Sequence, residues 1–257
     1  MSEPTRSVAF DRVAHEYDRT RGGPERAEQV VALSAPLLPP GDPLLEIGVG
    51  TGLVADALAR RGRAVAGVDL SLPMLRLAAG RVPGRVAAGD ALRLPIRSGS
   101  VAGVVMIHVL HVVGDIEAAL AEAGRVVRPA GQIVVSSFDG GSPTSDVGMI
   151  LEELGGWLGR AGERPDAAAA IIAAAARAGL RVAGRIGYRP SHLGLSPAET
   201  LARIATRSWS WMWQVDEQAW ARAAEAAVDA LRRLPDQDRP RTEPHEAALL
   251  AFEVAAR

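Results

Sequence analysis

Three glycines, Gly48, Gly50 and Gly52, alternate in the run Leu44-Leu45-Glu46-Ile47-Gly48-Val49-Gly50-Thr51-Gly52-Leu53, and an acid, Asp69, follows about twenty residues on. Alternating glycines permit a tight turn and let a ligand approach the backbone with no Cβ in the way. A helix opening behind such a turn presents unpaired N–H groups, which suit an anionic ligand group. An ionised carboxylate at a strand end is a strong acceptor for a vicinal diol. These residue types at this spacing point to a nucleotide-type cofactor site. Glu46 lies inside an apolar strand, where an unpaired charge is costly, so it too is expected beside the cofactor. A second acid stands in Gly89-Asp90-Ala91, and two imidazoles, His108 and His111, end the apolar run from strand 4, where either could move a proton. Each has a plainer reading: Asp69 as a helix cap, Asp90 as a turn residue, the histidines as satisfied structural groups.

The elements that must position these residues alternate. Strand 1 (43–48) leads into a helix over 53–61, and strand 2 (64–69) ends in Asp69. The next helix has Ser71 or Asp69 near its cap and turns Met74, Leu75 and Ala78 inward. Strand 3 is 85–88. Strand 4, 101–107, is nearly all apolar, as a parallel strand buried on both faces should be. A helix over 116–127 stops at Pro129-Ala130-Gly131, strand 5 spans 132–138, and a helix over 166–178 takes Asp166 as its N-cap. Strand 6 (180–188) and a last strand (246–255) complete the series. At least four βα units in a row specify an α/β, doubly wound, mostly parallel sheet with right-handed crossovers. Helices over 7–22 and 24–38 precede it. Two stretches lie outside the repeat, 139–164 and 189–243; the second holds the capping box Ser196-Pro197-Ala198-Glu199, a helix from Pro197 and another over 216–234. It is expected to form a helical lid over the carboxyl ends of the strands.

Composition removes whole classes of chemistry. The 257 residues contain neither Cys nor Lys, which excludes disulfides, thiolate metal sites, a Cys nucleophile and Schiff-base or P-loop lysine chemistry. No metal site is expected. A formal net charge of −1 gives no global attraction to nucleic acid or to an anionic membrane. The start has no apolar signal region and no run is long enough to span a bilayer, so a cytoplasmic location is expected.

The spacing Glu-x-Gly-x-Gly-x-Gly differs from the dinucleotide fingerprint, in which the third glycine comes one place later. It resembles motif I of the class I S-adenosylmethionine (SAM) dependent methyltransferases. Phe10-Asp11-x-x-Ala14-x-x-Tyr17-Asp18-x-x-Arg21 also resembles the N-terminal segment of the branch related to the ubiquinone and menaquinone biosynthesis C-methyltransferases. The resemblance runs over about 7–138 and implies a Rossmann-like seven-stranded sheet whose last strand lies antiparallel between strands 5 and 6. It implies SAM as cofactor and S-adenosylhomocysteine as product. Tyr17 and Arg21 would reach the methionine carboxylate; Glu46, Gly48, Gly50 and Gly52 would line the methionyl and ribose parts. Asp69 would hold the ribose hydroxyls, Leu70 would pack on adenine with Met74 nearby, and Gly89, Asp90 and Ala91 would meet the adenine amino edge. His108 and His111 would stand where cofactor meets acceptor, as candidate catalytic groups.

The expected protein is one methyltransferase domain: a helical cap (1–40), a SAM-binding core (41–138) and a lid insertion (189–243). Its reaction would move a methyl group to a small-molecule acceptor, with no nucleic-acid or membrane partner, as a monomer or homodimer. The alternatives are a protein or peptide methyltransferase, a SAM-binding module without transfer, and a NAD-linked dehydrogenase, which the glycine spacing disfavours. Trp209-Ser210-Trp211-Met212-Trp213 stands out in an aromatic-poor chain. On a helix Trp209 and Trp213 would share one face, with Trp211 elsewhere, and could wall an apolar acceptor or merely pack the lid.

Overall fold

The computed structural model describes residues 10, 11, 14, 17, 18, 22–158, 164–190, 194–212, 215–243 and 246–254. Seven strands form one sheet in the order β3-β2-β1-β4-β5-β7-β6: β1 Leu44–Ile47, β2 Val65–Asp69, β3 Val86–Ala88, β4 Val101–Met106, β5 Val127–Gly140, β6 Leu180–Tyr188 and β7 Glu246–Val254. β1 pairs in parallel with β2 and β4, as do β2 with β3 and β4 with β5, whereas β6 and β7 are antiparallel. This is the expected Rossmann-like sheet, with the last strand between the fifth and sixth. Every residue of β1 and β4 is buried, so their continuous apolar runs report two covered faces.

By contact the chain divides into two compact units, residues 1–139, 164–188 and 247–257, and residues 140–163 and 189–246. The first holds the sheet with α1 Gly23–Ser34, α2 Leu53–Arg60, α3 Leu72–Arg81, α4 Ile116–Val126 and α6 Ala168–Arg177. Its core has two clusters. One gathers Ile47, Val68, Met106, Leu120, Ile171 and Phe252; the other gathers Val30, Leu44, Leu58, Val105 and Leu249.

The second unit contains α5 Asp146–Trp157, α7 Pro197–Ala205 and α8 Glu217–Arg233 around its own core, in which Met212 and Leu231 are wholly buried. The capping box at Ser196 and Glu199 forms as the sequence indicates, and the Asp216 side chain caps α8. Helix α5 lies in the stretch read as glycine-rich and outside the repeat.

Three local expectations are corrected. The N-cap of α6 is not Asp166. The helix begins later, and the carboxylate of Asp139 accepts the Ala168 N–H at 2.6 Å, while Asp166 turns to the guanidinium of Arg164 at 3.0 Å. Pro129-Ala130-Gly131 does not separate α4 from strand 5. The stretch is absorbed into β5 as an irregularity, Ala130 taking φ 63°. The Trp cluster is not an α-helix: Ser210–Met212 is a 3₁₀ turn, and Trp209 stacks on Trp211, ring centroids 6.1 Å apart. A 3₁₀ turn, with three residues per turn, lacks the i, i+4 face that an α-helix would present.

Candidate cofactor site

β1 runs to the carboxyl edge of the sheet and the chain turns at once through Gly48 (φ 71°), Gly50 (φ 53°) and Gly52 (φ 86°). All three are left-handed, a conformation that costs an L-residue roughly 1–2 kcal/mol. A Cβ at Gly48 would also collide with the side chain of Val109, and one at Gly52 would lie 3.0 Å from the Cα of Ala78 in α3. Among the described residues, an added Cβ at Gly50 would meet only the Gly48 carbonyl oxygen, at 4.0 Å. The loop is therefore packed at both ends and open in the middle, a cradle that a ligand can approach closely.

Asp69 closes the cradle. One carboxylate oxygen accepts the Gly50 N–H at 2.8 Å and the other accepts the Ser71 N–H at 2.9 Å. Burial pushes its pKa above the ordinary carboxylate value, against the backbone N–H groups of Ser71, Gly50 and Leu70, and nearby Asp11 pushes it further. A carboxylate offers about four lone-pair sites, so about two remain for a diol.

Glu46, one residue before the end of β1, is only 3% exposed, and its Oε2 has no hydrogen-bond partner among the described residues. Burial drives its pKa well above the usual value; the Ala55 backbone opposes this, the Asp69 charge adds to it and Arg26 opposes it. A buried oxygen left unpaired is expensive, and a ligand donor at this place would relieve it.

The other expected residues fall as follows. Leu70 is 53% exposed, an apolar side chain next in sequence to Asp69. Met74 is buried, with its backbone N–H on the Ser71 hydroxyl. Asp90 accepts the Leu92 N–H at 2.9 Å, so it does hold its own turn. Ala91 is buried next to it, and Gly89 has no room for a Cβ, which would lie 2.7 Å from Pro95 and Val68. His108 follows β4 with φ 53°, a strained conformation of the kind that gathers at functional sites, and its N–H donates to the Ser136 hydroxyl at 2.7 Å. His111 lies in the 3₁₀ turn Leu110–Val112, its Nδ1 4.0 Å from a carboxylate oxygen of Asp166. Tyr17 packs edge-on against Phe10 at 6.3 Å. Arg21 and Trp213 lie outside the described residues; Trp209 belongs to the second unit.

Several residues that sequence reasoning left without a role bind this site together. The Ser71 hydroxyl donates to Asp11 at 2.6 Å, and the Thr51 hydroxyl, inside the glycine run, donates to Asp18 at 2.5 Å. Arg81 spans both partners, donating to Asp18 at 2.7 Å and to the Thr51 carbonyl at 2.5 Å. Asp11 and Asp18 are thus tied to α3 and to the glycine loop. The signal was present: Asp11 and Asp18 both stand in the N-terminal pattern, beside Phe10 and Tyr17.

A seven-stranded sheet in this order, with its last strand antiparallel to the sixth, is the Rossmann-like methyltransferase fold. Residues 45–135 match the family described as a methyltransferase domain. It is 33% identical over 144 residues to demethylmenaquinone methyltransferase of Tropheryma whipplei strain Twist, covering 50% of this chain and 57% of that protein. To the enzyme of the same name from Mycobacterium marinum it is 36% identical over 144 residues, covering 54% and 62%. The match thus spans about three fifths of these relatives' own length. Among solved structures, the [4+2]-cyclase SpnF is similar over 100% of this chain and 99% of that one, with TM-score 0.65 and 19% identity. A phosphoethanolamine N-methyltransferase of Haemonchus contortus, in complex with S-adenosylhomocysteine, is similar over 98% of this chain and 59% of that one, with TM-score 0.59 and 19% identity.

Proposed function

We propose that this protein transfers a methyl group from SAM to a small, largely apolar acceptor. The observation that carries the reading is the cradle closed by Asp69: three left-handed glycines, open at Gly50, with a carboxylate bonded to the loop and still able to accept a diol. When bound, SAM supplies a methyl group already activated on a sulfonium. The chain's own task is then to hold and align. Asp69 holds the ribose, the loop 48–52 carries the methionyl part, and Glu46 Oε2 meets a donor. Leu70 and Met74 flank the adenine, Asp90 and Ala91 take its edge, and Tyr17 and Arg21 close over the carboxylate. The name of the curated relatives supports a quinone-like acceptor, apolar and without a fixed charge. Trp209 and Trp213 are assigned to its apolar contacts.

Incubation with SAM and 1,4-naphthohydroquinone, followed by mass spectrometry of the extract, tests the reading. A methylated product that depends on the protein supports it. S-adenosylhomocysteine binding without any methylated product, on this or a panel of phenols, would contradict it.

One observation favours a second reading. The structure similar over this whole chain is named a cyclase, so the same fold can carry a reaction other than methyl transfer. Consumption of an acceptor with SAM left intact would favour that reading.

A further inference from the structure

Glu46 is not the only residue of the first unit with a buried oxygen that lacks a partner. Tyr188, the last residue of β6, has its hydroxyl buried and unpaired among the described residues. The reason lies in its neighbours. Tyr188 packs against the cluster that holds Leu44, Leu249 and, from α1, Ala27 and Val30, and its partner across the strand pair is Ala247. None of these side chains can donate or accept a hydrogen bond. Side chains alternate along a strand, so Glu46, two residues after Leu44, lies on the same sheet face as Tyr188. Burial pushes both the Glu46 carboxyl and the Tyr188 phenol above their ordinary pKa values, and the charge of Arg26, in the first turn of α1, opposes that push at each. At Tyr188 burial wins, so the phenol stays protonated and offers its O–H.

Packing does not explain this hydroxyl. A phenylalanine ring would fill the same space without the cost of about 1–3 kcal/mol that an unpaired buried polar group carries. The residue also stands where the chain changes units: the first unit is left just after Tyr188 and re-entered at Ala247, its cross-strand partner. We propose that the Tyr188 hydroxyl donates a hydrogen bond to an oxygen of the methyl acceptor and so selects acceptors that carry one. The inference rests on the methyltransferase reading and narrows the acceptor to an apolar molecule with a carbonyl, hydroxyl or ether oxygen. A site that offers a buried donor rejects the analogue without the matching oxygen, because the donor then stays unpaired. The positive charge of Arg26 favours the negative end of a C–O or C=O dipole at this place.

Two probes test it: 1,4-naphthohydroquinone, kept reduced under argon, and naphthalene, which lacks both oxygens. Calorimetry on the full chain in excess S-adenosylhomocysteine should show the hydroquinone bound at least about tenfold more tightly. Tyr188→Phe should cut that preference to within about threefold. Its melting temperature without ligand should equal that of wild type or exceed it, because the variant loses an unpaired hydroxyl. A wild type that binds the two probes equally, or binds neither, overturns the inference. So does a preference that survives in a folded Tyr188→Phe. A lowered melting temperature in that variant overturns it as well, since the hydroxyl would then have a partner within the protein. A separate titration with S-adenosylhomocysteine keeps the two claims apart. Its binding without any probe preference sinks the Tyr188 role alone; its absence beside an intact preference sinks the methyltransferase reading alone.

Discussion

The stretch from β1 to β2 and the second compact unit were made by different rules. Between Leu44 and Asp69, function demands particular backbone states: glycines at φ 71°, 53° and 86°, and an acid bonded to the middle of the loop. Only one residue type meets the first demand cheaply, so it leaves a mark in the sequence. In the second unit the demand is for filled volume around Met212, Trp220 and Leu231. Many side chains can fill a volume, and no short pattern records which were chosen. A site built from backbone geometry is readable; one built from shape is not.

The largest expected effect breaks the first region alone. Gly52→Val combines the cost of φ 86° with a clash against the Ala78 backbone, together about 2–5 kcal/mol. Thermal melts should show the loss, and the folded fraction should no longer bind SAM. Met212→Ala should cost a comparable 2–5 kcal/mol, because Met212 is wholly buried. Here, though, affinity for S-adenosylhomocysteine below the transition should stay within twofold. If Met212→Ala abolished cofactor binding, the contrast between the regions would collapse.

The same contrast shows how far the sequence could be read. The succession of strands and helices along the core, the glycine turn, Asp69 and the capping box at Ser196 follow from local chemistry, and each appears where the pattern indicates. The place of the last strand between the fifth and sixth comes instead from the family resemblance. What stayed hidden depends on partners distant in sequence. Helix α5 carries Gly148, Gly155 and Gly156, each costing about 1 kcal/mol of helix propensity, so its stretch reads as loop. Its start is held by Glu243, which accepts the Thr144 N–H at 2.9 Å and the Ser145 hydroxyl, and the space beside Gly148 is filled by that same Glu243. Asp166 reads as an N-cap because it precedes an alanine run; only the fold brings Asp139 to Ala168 and frees Asp166 for Arg164 and His111. Helical periodicity reveals neither the 3₁₀ turn Ser210–Met212 nor the stacking of Trp209 on Trp211.

Glu46→Gln tests the buried acid through pH. The folded-state pKa of Glu46 is raised by burial, so the folded chain holds its proton to higher pH than the unfolded chain. Wild-type stability then falls as pH rises from the unfolded carboxylate range, about 4.3, toward the folded value, because ν_U is below ν_N there. The glutamine variant lacks this loss. Its melting temperature relative to wild type should therefore climb with pH across that window and be lowest in acid. A difference that is flat from pH 4 to 8 would remove the buried-charge account of Glu46.

The smallest effect concerns the N-terminal tie. The Arg81–Asp18 pair is about 30% exposed, so Asp18→Asn should cost no more than about 1 kcal/mol of stability. Hydrogen exchange should nevertheless rise at Tyr17 and Asp18 and fall again when S-adenosylhomocysteine is added. Equal exchange in wild type and variant would show that Thr51 and Arg81 do not hold the segment on the cofactor loop.

The central claim is that the cradle and Asp69 form a SAM site. Calorimetric titration of wild type and Asp69→Ala with S-adenosylhomocysteine tests it most directly. The account predicts one site per chain in the wild type and binding weaker by about 1.5–3 kcal/mol in the variant, the range for a hydrogen bond to a charged group. Unchanged affinity in a folded Asp69→Ala variant, or a wild type that binds NADH and not S-adenosylhomocysteine, would contradict it.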